Sequence, residues 1–147
     1  MKLMRSAAPM ELVTVGIEPG EMLLETIQKA IAQAGIRNGA VVSGIGTLKT
    51  CHLHYITHTD FPPKDRFFRL QKPLELVSVS GIIADGQPHL HIAVSCGEDE
   101  VWAGHLEPES EVAYLAEIAI LVSNDLAMTR TRDPVRKVSL LGPKPQA

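Results

Sequence analysis

Five stretches of alternating or continuous apolar residues, at 11–17, 39–55, 74–84, 89–96 and 101–106, are each bounded by Gly, Pro or Asp, which is the pattern of strands. Against them stands one clear helical repeat. Between Pro19 and Gly35, the residues Leu23, Leu24, Ile27, Ala30, Ile31 and Ala34 recur at helical spacing, with the proline near the start and the glycine just past the end. Residues 111–123 fit either period, because the alanines suit a helix while Val112, Tyr114, Ala116, Ile118, Ile120 and Val122 alternate along one strand face. The alternation favours strand. Residues 61–66, with Pro62 and Pro63, read as a surface loop, and residues 142–147 as a frayed end. The expected class is α/β of the α+β type, most of it sheet.

A chain of 147 residues has the usual size of one domain and can bury a core without disulfides. One domain over 1–147 is therefore expected, with an ordered part at about 10–141. Its 45% hydrophobic and 21% charged residues are an ordinary globular balance. No apolar run approaches the roughly 18 residues that span a bilayer, and Met1-Lys2-Leu3-Met4-Arg5 lacks the apolar stretch of a signal peptide. No membrane association and a cytoplasmic address are expected. Cys51 and Cys96 stand far apart without CxxC spacing, so neither a disulfide framework nor a thiolate cage is indicated. The net charge of −3 is uneven: after residue 129 five basic residues against Asp133 give +4, leaving −7 for the rest. An acidic body repels phosphates, which disfavours duplex binding unless the tail or an oligomer gathers positive charge on one face.

The sharpest chemical signal is a set of three histidines. In Pro88-His89-Leu90-His91, strand periodicity puts His89 and His91 on one face and Leu90 on the other. The acidic link Gly97-Glu98-Asp99-Glu100 then reads as a hairpin connection. A register in which partner numbers sum to 196 would set Ser95 opposite Val101 and bring His105 beside His91, with an odd loop or bulge that glycine permits. Three neutral imidazoles with an open fourth position are a ligand set typical of catalytic zinc. An H-x-H pair alone is read more readily as an exposed strand face that happens to carry histidines. A rival set, His52, His54 and His58, repeats the H-x-H pattern, but no turn evidently folds His58 back onto that face.

Ser43-Gly44-Ile45-Gly46-Thr47-Leu48 fails as a dinucleotide loop, because Lys49 replaces the third glycine and strand rather than helix follows. A glycine-permitted bend or tight backbone contact is the expected use. Gly44-Ile45-Gly46 with Leu53 is, however, similar to the GxGxxxxxxL signature of the plant-and-prokaryote-conserved (PPC) domain. The run from Pro73 to Gly81 resembles that family's strand before a core glycine. Pro88-His89-Leu90-His91 and Ala103-Gly104-His105-Leu106 resemble its H-x-H and G-G-H-L motifs, and residues 130–141 its closing segment. The resemblance covers nearly the whole chain with motifs in the right order. It implies a mixed, mainly antiparallel sheet flanked by helices, a homotrimer, and a metal, zinc or another divalent ion, on His89, His91 and His105. The pattern departs at Ala103, where the family usually has glycine, which bears on how closely the backbone packs beside His105.

Three functions follow from this resemblance. A trimeric metal-binding protein is the leading reading. DNA binding is the alternative, since prokaryotic members are described in those terms. The plant relatives, however, use a separate AT-hook, and this chain has no Arg-Gly-Arg-Pro stretch. Arg130, Arg132, Arg136 and Lys137 are the candidate phosphate contacts, with a solvated tail as the plainer reading. A metal-dependent enzyme, or a sensor of a small oxo- or hydroxy-acid ligand, is the third. The fold resembles that of acetolactate decarboxylase, whose zinc is held by histidines. Glu75, Glu117 and Arg69 are candidates for proton or charge handling, with no role assigned. The apolar runs at 77–83 and 118–122 suit either a subunit interface or simple core.

Overall fold

The structure is a computed structural model that describes residues 1–145. Its elements in chain order are β1 (Glu11–Ile17), α1 (Leu23–Gln33), β2 (Asn38–Ile56), β3 (Asp65–Ala84), β4 (Gln87–Cys96), β5 (Glu100–Leu106), β6 (Val112–Ser123), β7 (Met128–Arg132) and β8 (Ser139–Pro143). Six strands form one sheet in the order β1-β6-β2-β3-β4-β5, and β7 and β8 form a separate ribbon. Among the described residues every strand pairing is antiparallel, so the sheet is antiparallel, as mainly expected, rather than mixed. Nor is the sheet flanked by helices, because α1 is the single helix among the described residues. The chain reads as helix where apolar spacing is 3.6 and as strand elsewhere, and only one segment has the former.

The strand expectation for residues 111–123 holds, since alternate residues Val112, Ala116, Ile118, Ile120 and Val122 are buried in β6. The helix begins later than Pro19. Residues 20–22 are instead bound to the start of β6, where the Gly20 amide donates to Val112 O (2.9 Å) and the Val112 amide to Glu21 O (2.9 Å). The Leu23 amide finds its partner in Ser110 O at 2.8 Å, so the first turn is capped by a neighbouring strand end rather than by a side chain. Leu23, Leu24, Ile27 and Ile31 form the buried face of α1. That face shares the core with Leu48, Leu53, Val79, Ile83, Leu90, Val94, Leu106 and Ile118. Each such fully buried side chain contributes about 1.5–3 kcal/mol of transfer free energy.

Two features shape the sheet around the histidines. First, β2 and β3 are long, 19 and 20 residues, and β3 starts at Asp65, well before the expected residue 74. Register shifts on β2, at Leu48/Thr50 against β3 and at Val41/Ser43 and Gly46/Leu48 against β6, bend the strand, since each bulge adds local twist. Second, the bend lets the far end of β2 pair with β5, Leu53 opposite Leu106 and His54 opposite His105, so β2, β3, β4 and β5 close on themselves. The glycines of the 44–46 motif serve close packing, as expected: a Cβ at Gly44 would lie 2.5 Å from Val79 Cβ. In residues 118–122 the alternate side chains Ile118, Ile120 and Val122 are core, whereas in 77–83 only Val79 and Ile83 are buried and Val77 is exposed.

The end of the chain is not frayed over its whole expected span. Ser139–Pro143 is β8, and Gln146 and Ala147 lie outside the described residues. The ribbon is anchored by Asn38, which donates from Nδ2 to Leu126 O (2.6 Å) and accepts at Oδ1 from the Met128 amide (3.0 Å). Among the described residues, no helix is long and apolar enough to cross a membrane.

Candidate functional site

The hairpin from β4 to β5 has the register in which Ser95 faces Val101 and His91 faces His105. Its three-residue turn begins at Gly97 with φ +64°, the left-handed conformation glycine adopts without steric cost. On its other edge β5 meets β2, so His91, His105 and His54 form one row across three adjacent strands. His89 stands two residues along from His91 on the same face.

The imidazoles converge. One ligand atom from each of His89, His91 and His105 lies within 4.8 Å of the others. His89 Nε2 and His91 Nε2 are 3.4 Å apart, their rings parallel within 8°. The His105 ring stands nearly perpendicular to both, at centroid distances of 4.7 and 5.4 Å. A metal needs neutral imidazoles, and the surroundings favour that form. Burial, with the neighbouring His89 and His54 rings, pulls the His105 pKa down to about 4. Burial likewise lowers that of His89, helped by the Arg130 guanidinium and the adjacent imidazoles. Nitrogen donors on neighbouring strands, converging on one spot, fit a divalent cation of the zinc type.

A second group, His54, His105 and Glu107, also brings its ligand atoms within 4.8 Å of one another and shares His105. His54 Nδ1 lies 2.6 Å from Glu107 Oε1, and the His54 ring stacks on His105 at 4.5 Å. These two already satisfy each other, and they hold His105 in place by stacking and by fixing the His54 ring. In sequence His54 stands out only beside His52 in the rival set and Glu107 not at all, because nothing local reveals that β2 curls round to meet β5. Of the rival set, His52 turns to Pro108 O (Nδ1, 3.1 Å) and His58 is exposed in the loop at 57–64, so the three do not meet.

The other candidates lie apart. Arg69 pairs with Glu109. Glu117 is exposed on β6, and Glu75 borders a separate cavity of about 710 Å³ near Lys72, Pro73 and Tyr114 that contains none of the histidines. Arg132, Arg136 and Lys137 are exposed at the free end of the β7–β8 ribbon, Arg136 with Asp133 at 3.1 Å. Arg130 is placed differently. Its Nη2 donates to Ile82 O (2.7 Å) and its Nη1 to Gln87 O (3.0 Å), and it borders an open cleft of about 370 Å³ with Ser80, His89, His91 and Ser139.

Curated relatives include the bifunctional protein GlmU of a Synechococcus strain, 28% identical over 116 residues, which is 79% of this chain and 18% of that protein. The chain thus spans under a fifth of the length of the curated relatives it matches. A plant- and prokaryote-conserved (PPC) protein of Pyrococcus horikoshii superposes with TM-score 0.79 at 25% identity, covering 97% of this chain and all 100% of that one. A metal-containing protein of Archaeoglobus fulgidus reaches 0.80 at 23% identity over 95% and 98% of the two chains. A candidate DNA-binding protein of Bacteroides thetaiotaomicron reaches 0.77 at 18%, over 88% and 90%. Residues 4–124 match the Plants and Prokaryotes Conserved domain, the same family that the glycine and histidine motifs resemble, and the chain belongs to that PCC family.

Proposed function

We propose that this chain is a metal-binding PCC protein in which His89, His91 and His105 hold one divalent cation, zinc being the ion their chemistry suits best. The observation that carries the reading is the convergence of three imidazoles, two of which, His89 and His91, line an open cleft. The shape similarity to a metal-containing archaeal protein supports it. His54 and Glu107 steady His105 and are not first-choice ligands, because they already pair with each other. Three protein ligands leave a coordination position for water or a small molecule, so the site is built to bind or act on a ligand rather than only to brace the fold. The free thiols Cys51 and Cys96 accord with a reducing, cytoplasmic setting. A homotrimer is part of the proposal. Val42, Ile45, Val77, Tyr114 and Leu115 are exposed on the adjacent strands β2, β3 and β6, where a subunit contact would cover them.

Elemental analysis of protein purified without tag or chelator tests the site. About one divalent ion per chain is expected, lost in His89→Ala/His91→Ala with the fold intact; a full equivalent in that variant would sink the assignment. A second reading, DNA binding through Arg132, Arg136 and Lys137, draws on their exposure at the ribbon end and on the name of the Bacteroides relative. Retardation of a duplex that weakens steeply with salt would support it, since phosphate contacts release counterions.

A further inference from the structure

Arg130 presents an electrostatic problem that the metal reading sharpens. A dication held by three neutral imidazoles keeps its full charge, and a guanidinium on the wall of the same cleft adds another of the same sign. Among the described residues no carboxylate borders this cleft, whose walls include Ser80, His89, His91, Arg130 and Ser139. Nor is the arginine neutralised by an acidic partner, since its two hydrogen bonds go to the backbone carbonyls of Ile82 and Gln87. Those carbonyls use two of five N–H donors, fix the plane of the fork, and leave three donors for something else. Burial lowers the guanidinium's pKa from its usual value, an electrostatic cost that a counter-anion would relieve. Two hydroxyls, from Ser80 on β3 and Ser139 on β8, supply further hydrogen-bonding groups on the same walls.

We infer that the cleft over His89 and His91 takes a small carboxylate anion, with Arg130 as the residue that binds its carboxylate while its other end reaches the histidine-held cation. The inference rests on the metal reading above. It explains why the chain folds its last two strands back onto the β3–β4 hairpin: the ribbon delivers one positive, pre-oriented fork to the open side of the histidine site. Arg132, Arg136 and Lys137, at the ribbon's free end, take no part in it. Bidentate carboxylate recognition is what a tethered guanidinium does well, because little side-chain freedom remains to be lost.

Zinc-loaded protein titrated calorimetrically with glycolate, and with neutral glycolamide of the same shape, tests the inference. Glycolate should saturate one site per chain and bind more tightly than glycolamide; metal-free protein should bind it far more weakly. Arg130→Gln should keep its zinc and lose about ten- to a hundredfold in glycolate affinity, the range for a charge-assisted hydrogen bond, with glycolamide unaffected. Because Arg130 also ties the ribbon down, Ser139→Glu serves as the second variant: it leaves both tethers in place, sets a carboxylate in the cleft, and should block glycolate while leaving zinc bound. A purely structural Arg130 would lower thermal stability and leave glycolate affinity alone, and that result overturns the inference. So does the absence of glycolate binding to zinc-loaded wild type. Wild type that takes up no zinc sinks the metal reading and this inference with it.

Discussion

Gly104 is the point at which the fold and the histidine site depend on one another. It lies on β5 opposite Ile92 of β4, one residue before His105, and a Cβ built on it would lie 2.6 Å from His54 O on β2. A carbon needs roughly 3.3–3.6 Å from a carbonyl oxygen, so Gly104→Ala demands a retreat of about 0.7 Å or more between two backbones. Backbone cannot swing aside as a flexible side chain can. The contact to be opened is the short β2–β5 seam, where Leu53 pairs with Leu106 and His54 with His105, and its loss would also unstack His54 from His105. Overpacking of this kind costs about 1–3 kcal/mol. For a chain near 150 residues each kcal/mol shifts Tm by roughly 2–4 °C, so the variant should melt about 2–12 °C below wild type. A metal site tolerates about 0.5 Å of misplacement, so the same variant should bind zinc at least tenfold more weakly. Circular-dichroism melts in chelator, followed by zinc titration against a competing indicator, read both effects. Gly104→Ala with wild-type melting and wild-type zinc affinity would refute the claim that the seam closes at this residue and positions His105.

Two further outcomes are expected. The Asp125 carboxylate accepts from Ser6 Oγ (2.6 Å), the Ala7 amide (2.7 Å), Ser123 Oγ (2.8 Å) and the Ala8 amide (3.0 Å), and the Ser6 bond first among them holds its pKa far below the usual range. A folded pKa below the unfolded value of about 3.9 means stability that is present above that pH and fades as pH falls through and below it. Asp125→Asn should therefore melt lower than wild type at pH 7, with the gap shrinking below about pH 4; equal melting at pH 7 would show that the latch on residues 6–8 contributes nothing. Cys51 is 1% exposed, and burial pushes its thiol up to about 12 against a small opposing effect of the Ser110 hydrogen bond. In native protein at pH 8 a disulfide reagent should titrate Cys96 alone, with Cys51 reacting only on unfolding; two fast thiols would contradict that burial.

Much of the site was legible because it is local. Strand alternation sets His89 and His91 on one face whatever the rest of the chain does, and a hairpin through Gly97 brings His105 opposite His91 by counting alone. Ala103 shows the limit of motif matching: it is exposed on β5 opposite Ala93, and the close approach is made at Gly104 instead. The strand nature of β6 was readable for the same local reason, an unbroken alternation of apolar residues.

By itself, then, the order of residues determined most strand periods, a helix between Pro19 and Gly35 and the pairing of the histidine hairpin, since each follows from neighbours a few positions apart. The tertiary structure alone decided what depends on distant segments meeting. It made the sheet wholly antiparallel, curled β2 until His54 stacked on His105, and turned residues 128–143 from an apparent tail into a ribbon. That ribbon moves Arg130 from a basic terminus to the wall of the histidine cleft, where its neighbours are two carbonyls from residues 43 and 48 positions away. The physical reason is that bulges, closure and docking answer to core packing over the whole chain, while periodicity records only which way each side chain faces.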